Sequence, residues 1–256
     1  MEQIAEILSP EKQVQRQGDT VCRPRRPWSP SVRLFLQFLE QEGLPVEHMR
    51  ALTPEQEVYD FIPGEMVHPY RWKDEALFAV GGLVAALHRA GARFYAEHPR
   101  FDVCQPWCLR EIGCERRIWC HGDVAPWNLL TKGGMPLRLV DWEFAGPLDP
   151  LVELARVCWL FPQLVDDDLQ QKYDLPSPEG RAAQVRLVCD GYGLARCERA
   201  RLVEQMIEVV ICETAHEAID PHLQPEDEGC LWGFAWRIRS LYWIWRHRQT
   251  LEQALA

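Results

Sequence analysis

The sequence predicts an α+β protein, with a small β-containing N-terminal part followed by a larger, mainly helical part that holds one hairpin. Three observations carry this. Strand-like runs and turn residues crowd the first sixty positions. From Gly64 onward apolar residues recur at helical spacing. The one later strand pattern is Leu129 to Thr131, then Lys132-Gly133-Gly134-Met135, then Leu137 to Val140, which reads as two strands around a turn.

Taken in order, Val14 to Gln17 and Thr20 to Arg23 form a hairpin turning at Gly18. Pro24, Pro27 and Pro30 then interrupt the backbone. Ser29 is placed to cap a helix with Pro30 in its first turn, and Val32, Phe35, Leu36 and Leu39 share one face before Gly43 ends it. Val58 to Ile62 is a short strand stopping at Pro63-Gly64. Ala76 to Ala90 is a helix closed by Gly91, and further helices cover about 150–161, 181–193, 198–218 and 229–253. The chain thus divides into residues 1–63 and 64–256.

Composition narrows the function. The 256 residues include 28 Lys and Arg against 38 Asp and Glu, a formal charge of −10. Such a chain is repelled by nucleic acid and by anionic membranes, so cationic small molecules are the more natural partners. Hydrophobic residues at 47% supply an ordinary globular core. The first residues carry no basic stretch followed by an apolar run, and the longest apolar candidate, Leu231 to Trp245, is broken by Arg237 and Arg239. A cytoplasmic protein is expected. The ten cysteines are scattered singly, and the densest group, Cys104, Cys108, Cys114 and Cys120 before His121, lacks a CxxC knuckle. Reduced thiols are expected rather than disulfides or zinc.

The chemistry concentrates in His121-Gly122-Asp123-Val124-Ala125-Pro126-Trp127-Asn128 and in Asp141-Trp142-Glu143. Asp123 precedes Asn128 by five positions, the spacing of the kinase catalytic loop. If the intervening hairpin turns at Gly133-Gly134, its second strand returns Asp141 to the level of Asn128. An amide and a carboxylate then converge as oxygen ligands of the kind Mg²⁺ prefers, with Asp123 beside them to accept a hydroxyl proton.

These residues carry a resemblance. HGDVAPWNLL followed by LVDWEFAGPLDPLVELA resembles the aminoglycoside phosphotransferase and choline kinase-like family, most densely from Trp119 to Ala155. The resemblance implies a protein-kinase-like two-lobe fold with a reduced N-terminal lobe (1–63) for nucleotide and a helical C-terminal lobe (64–256) for catalysis. It implies transfer of the γ-phosphate of ATP or GTP to a hydroxyl, with an aminoglycoside antibiotic as the first candidate acceptor. Asp123 is then the base, His121 braces its loop, and Asn128 and Asp141 hold Mg²⁺. Asp149 and Glu153 tie the next helix to the site, although the family usually has Asp at the position of Glu153. Choline or an amino alcohol is an alternative acceptor, and a binding-only, non-catalytic member is an alternative activity.

The nucleotide side departs from the family. No glycine precedes Gly18, and Arg23 stands where the family has a strand lysine, with Ser29 and Ser31 where its pairing glutamate is expected. Arginine grips phosphate bidentately, so Arg23 remains the phosphate candidate. Val58 to Ile62 resembles the hinge, placing the Asp60 carbonyl and the Ile62 amide against adenine. For a cationic acceptor, acidic residues at helical spacing, Glu204, Glu208, Glu213 and Glu217, are candidates, with Glu143 beside the metal site. The aromatic last helix, with Trp232, Trp236, Tyr242, Trp243 and Trp245, offers a cation–π alternative or simply core.

Overall fold

A computed structural model describes residues 6–10, 12–98, 103–113, 117–219 and 231–256. The N-terminal part is a five-stranded antiparallel sheet in the order β1-β2-β3-β5-β4, with β1 Glu6–Ser9, β2 Val14–Gln17, β3 Thr20–Pro24, β4 Met49–Leu52 and β5 Gln56–Asp60. The hairpin expected over 14–23 is present, and the strand expected over Val58 to Ile62 lies two residues earlier, at Gln56–Asp60, because its pairing with β3 ends at Thr20 opposite Asp60 and leaves Phe61 and Ile62 beyond it. β1 and β4 lack the alternation that would announce them. β1 is an exposed edge strand, and β4 is four residues long with a register shift between Met49 and Ala51.

Helix α1, Ser29–Gln41, follows the sheet's third strand and starts one residue earlier than a Ser29 cap would place it. Trp28 is the cap position, while the Ser29 hydroxyl accepts from the Arg26 amide. Its apolar stripe faces inward, and Phe35 meets the rings of Phe94, Trp119 and Trp142 at 4.9, 5.1 and 5.9 Å. Those three aromatics belong to the C-terminal part, so one continuous core runs through both parts of the molecule.

The C-terminal part is built on α2, Asp74–Glu97. This helix runs straight through Gly91 instead of ending there. Gly91 lies where a Cβ would sit 1.8 Å from the carbonyl oxygen of Trp119, so it serves close packing rather than a turn. Trp119 is on β6, Ile118–Cys120, which pairs with β9, Gly146–Leu148. Between them stands the predicted hairpin of β7, Leu129–Lys132, and β8, Met135–Leu139. Its two-residue turn, Gly133 and Gly134 at φ 61° and 79°, uses the left-handed conformation that glycine permits. The hairpin is held on both edges, by a bridge from Glu65 to Thr131 and another from Val46 to Leu139.

The remaining helices are α3 Pro150–Leu160, α4 Asp167–Lys172, α5 Pro178–Tyr192, α6 Arg196–Ile219, α7 Leu231–Arg246 and α8 Arg248–Leu255. The single helix expected over 229–253 is therefore two, and its first two positions lie outside the described residues. Within α7, Trp243 is buried core beneath the Arg181 guanidinium, whereas Trp232, Tyr242 and Trp245 are exposed. Among the described residues the cysteines are free, while Cys114 and Cys230 lie outside them. No helix of the described residues is long and apolar enough to cross a membrane.

Candidate active site

The loop after β6 carries His121, Gly122 and Asp123, and its shape is fixed atom by atom. Gly122 has φ 85°, and a Cβ there would meet the Phe144 carbonyl at 2.1 Å, so only glycine fits. Its amide donates to Glu153 Oε1 at 2.5 Å, and its carbonyl accepts from Trp107 Nε1 at 2.9 Å. His121 packs on Trp142 at 4.3 Å. Its Nε2 is 3.1 Å from the Val140 carbonyl, and its Nδ1 accepts the Asp123 amide. Burial holds this imidazole below its ordinary pKa, so it stays neutral, with the proton on Nε2. The ring therefore braces the loop and makes no contact with the Asp123 carboxylate.

Glu153 explains its own departure from the family pattern. It is wholly buried, and its second oxygen takes His88 Nε2 at 2.8 Å, while His88 Nδ1 lies 2.8 Å from the Tyr192 hydroxyl. The extra methylene lets one carboxylate reach both the loop amide and α2. Asp149 caps α3, accepting from the Leu151 amide. His88, Cys120 and Glu153 bring three ligand-type atoms within 4.8 Å of one another. Hydrogen bonds already take both Glu153 oxygens and both His88 nitrogens, so the cluster is a brace.

Asp123 is nearly enclosed. Arg156 Nη2 lies 2.6 Å from Oδ1, and Asn128 Nδ2 donates to Oδ2 at 2.8 Å. Its side chain remains 13% accessible, enough for a hydroxyl to approach. Burial raises its pKa, Arg156 lowers it, Asp141 raises it, and the net shift is upward. Asn128 also donates from Nδ2 to the Asp123 carbonyl, so Oδ1 is the atom left for a cation.

The hairpin returns Asp141 as the spacing required. Leu129 pairs with Leu139, and the Val140 amide donates to the Asn128 carbonyl at 3.0 Å, so Asp141 follows directly from the residue bonded to Asn128. Asp141 itself sits at φ 65°, a conformation that side-chain-bearing residues rarely adopt and that concentrates at functional positions. Burial pushes its carboxyl up, but Arg23 and Lys12 outweigh that and hold it below the ordinary value.

Arg23 reaches this point from β3. Its guanidinium contacts Asp141 Oδ1 at 2.9 Å, Glu57 Oε2 at 2.7 Å and Glu47 Oε1 at 3.1 Å, and lies over the Tyr59 ring. The pairing glutamate is thus not at the start of α1, where Ser29 and Ser31 stand. Glu57 comes from β5, and Glu47 from the segment after α1. Glu47 also accepts the Asp141 amide, and burial pushes its carboxyl up to about 7. Sequence reading misses both glutamates, because strand pairing brings Glu57 to Arg23 and the packing of the irregular segment after α1 brings Glu47 there, and neither carries helical spacing.

The donor set fits a divalent cation. Asn128 Oδ1 and the Asp141 carboxylate are hard oxygen ligands. Glu47, Glu57 and Glu143 surround them together with Arg23 and Lys12, so the site is rich in carboxylates.

The expected acceptor residues fall in a different arrangement. Glu213 is buried, and its carboxylate is taken by Arg156 Nε at 2.5 Å, with Arg237 at 4.0 Å on its other oxygen. Glu217, on the rim, pairs with Arg237 at 2.8 Å. Charges therefore alternate from Asp123 through Arg156, Glu213 and Arg237 to Glu217. Glu204 and Glu208 pair elsewhere, with Arg248 and Gln205. Trp127 stands beside Arg156 and near Trp236, which stacks on Trp159. On the nucleotide side the Asp60 amide donates to the His48 carbonyl and the Asp60 carboxylate pairs with Arg50. Ile62 and Pro63 line a groove with Asp19, Phe61 and Arg138.

A family model described as the phosphotransferase enzyme family, APH, matches residues 97–184, the stretch that holds the catalytic loop and hairpin. The trifolitoxin immunity protein of Rhizobium leguminosarum bv. trifolii is 40% identical over 249 residues, 95% of each chain. The chain belongs to the phosphotransferase enzyme family, and its fold is protein-kinase-like. A microcompartment-associated aminopropanol kinase superposes with a TM-score of 0.60 at 14% identity, over 98% of this chain and 95% of its own. A choline/ethanolamine kinase family protein from Mesorhizobium loti does so with 0.56 at 19% identity, over 98% and 92%.

Proposed function

We propose that this protein transfers the γ-phosphate of ATP or GTP to a hydroxyl of a small, cationic acceptor. The observation that carries the reading is the joint placement of Asp123, Asn128 and Asp141 by one loop and one hairpin. Asp123 orients the hydroxyl and takes its proton, and Arg156 and Asn128 hold the carboxylate in place. His121 keeps the loop in shape. Asn128 and Asp141 would hold magnesium, whose charge offsets that of the phosphate oxygens. Arg23 anchors the phosphates from β3, already oriented by three carboxylates. The Asp60–Ile62 strand end receives the base, and the boundary between nucleotide and acceptor lobes falls at Pro63-Gly64.

The acceptor lies toward α6 and α7. Glu217 offers a partly exposed carboxylate to its ammonium groups there, Trp127 and Trp236 offer ring faces, and Glu143 adds a carboxylate from beside the metal site. Glu213 acts through Arg156. Amino alcohols fit this lining, as do aminoglycosides.

Incubation with γ-labelled ATP or GTP and a panel of aminoglycosides, choline and amino alcohols tests the reading. A labelled product is expected, and no product under any pairing would overturn it. A second reading follows from the 40% identity to an immunity protein: the acceptor is a toxin, and its modification protects the cell. Expression that raises toxin tolerance in the wild type but not in Asp123→Asn supports this reading, and equal protection by both points to sequestration.

A further inference from the structure

The tip of the first hairpin enters the site from above. β1 and β2 join through residues 10–13, and Lys12 at this tip places Nζ 3.2 Å from Asp141 Oδ2 and in contact with Glu143 Oε1. Together with Val14, Arg23 and Arg26 these side chains line one small cavity. Two features set Lys12 apart from Arg23. Arg23 is 14% accessible and fixed by three carboxylates and a tyrosine ring, so it cannot leave. Lys12 is 48% accessible and held by two ion pairs open to solvent on the lysine side, a weak hold on a long, flexible side chain.

The sequence of the tip adds a chemical reason. Loops that cradle phosphates with backbone amides are rich in glycine. Here Ser9-Pro10-Glu11-Lys12-Gln13 contains no glycine, and Pro10 has no amide hydrogen to give. A flexible ammonium with three donors is what the tip offers in place of an amide cradle.

We infer that Lys12 is a movable phosphate ligand: it neutralises Asp141 and Glu143 in the empty site and swings to the terminal phosphate when a metal–nucleoside triphosphate enters. The exchange is one of charge. One positive group leaves the two carboxylates, a divalent cation takes its place, and the released ammonium meets the negative charge that arrives with the cation. This inference rests on the nucleotide site proposed above.

Calorimetry on wild type, Lys12→Met and Lys12→Arg tests it, with Mg²⁺ and either a non-hydrolysable ATP analogue or ADP, and with Mn²⁺ alone. Lys12→Met should weaken the triphosphate analogue by about tenfold or more, the size of a lost charged hydrogen bond. ADP should change by less than about threefold, Lys12→Arg should recover most of the loss, and Mn²⁺ alone should bind Lys12→Met several-fold more tightly, since its competitor is gone. Equal binding of the triphosphate analogue by wild type and Lys12→Met overturns the inference, as does an equal loss for ADP or unchanged Mn²⁺ affinity. Failure of the wild type to bind either nucleotide removes the nucleotide reading itself and this inference with it, an outcome distinct from equal binding.

Discussion

At the residue scale the proposed base is defined by its partners. Asp123 shares its two oxygens between Arg156 and Asn128, and a residue so held can take a proton only from a hydroxyl that approaches its remaining exposed edge. Replacing it with Asn keeps the shape and removes the charge. Asp123→Asn should lower kcat by about 10²–10⁴-fold with an unchanged melting temperature. A variant within tenfold of wild type would refute the assignment. The pH profile carries a second expectation. A protonated Asp123 cannot act as base, and burial raises its pKa, so the acidic limb of kcat/KM should lie above the ordinary carboxylate range. Arg156→Met removes the cation that lowers this pKa and should move the limb further up. It should also cost about 3–5 kcal/mol of stability, because Glu213 is left buried without its partner. An acidic limb at the ordinary value, unmoved by the substitution, would count against Asp123. Asp123, Asn128 and Asp141 are legible in the sequence because five residues of loop and a two-residue turn bring them together. Arg156, Glu47 and Glu57 are not legible. Packing and strand pairing over separations of 24 to 94 residues place them, and these carry no local pattern.

At the scale of elements, periodicity finds most of the helices and the two hairpins but misjudges their ends. Gly91 shows why. A glycine after an apolar helical run reads as a terminator, yet α2 continues to Glu97 because the glycine is needed where β6 crosses it. The test is direct: Gly91→Ala has the better helix propensity, so as a helix terminator it would be tolerated. The crossing predicts instead a loss of about 3 kcal/mol, read as a fall of several degrees in the melting temperature. A neutral or stabilising effect would contradict the packing. β1 and β4 are short and irregular, and α4 has six residues, too few for periodicity to register.

At the scale of the whole molecule, the division expected at residue 63 is a change of architecture within one continuous core. Phe35 of α1 packs among Phe94, Trp119 and Trp142, and Trp142 in turn supports His121 in the loop after β6. Thermal unfolding should therefore be a single transition, with tryptophan fluorescence and far-ultraviolet circular dichroism giving the same midpoint. Two separated midpoints would show that the parts melt independently. The acidic balance was readable from composition alone, and it returns in the four carboxylates around Arg23 and Lys12.

The central claim is that the amide at 128 and the carboxylate at 141 form one cation site facing the base at 123. Titration of ADP with and without Mg²⁺ into wild type, Asp123→Asn and Asp141→Asn tests it most directly. Mg²⁺ should strengthen ADP binding to wild type and to Asp123→Asn, and should have lost most of that effect in Asp141→Asn. The same Mg²⁺ enhancement in Asp141→Asn as in wild type would contradict it.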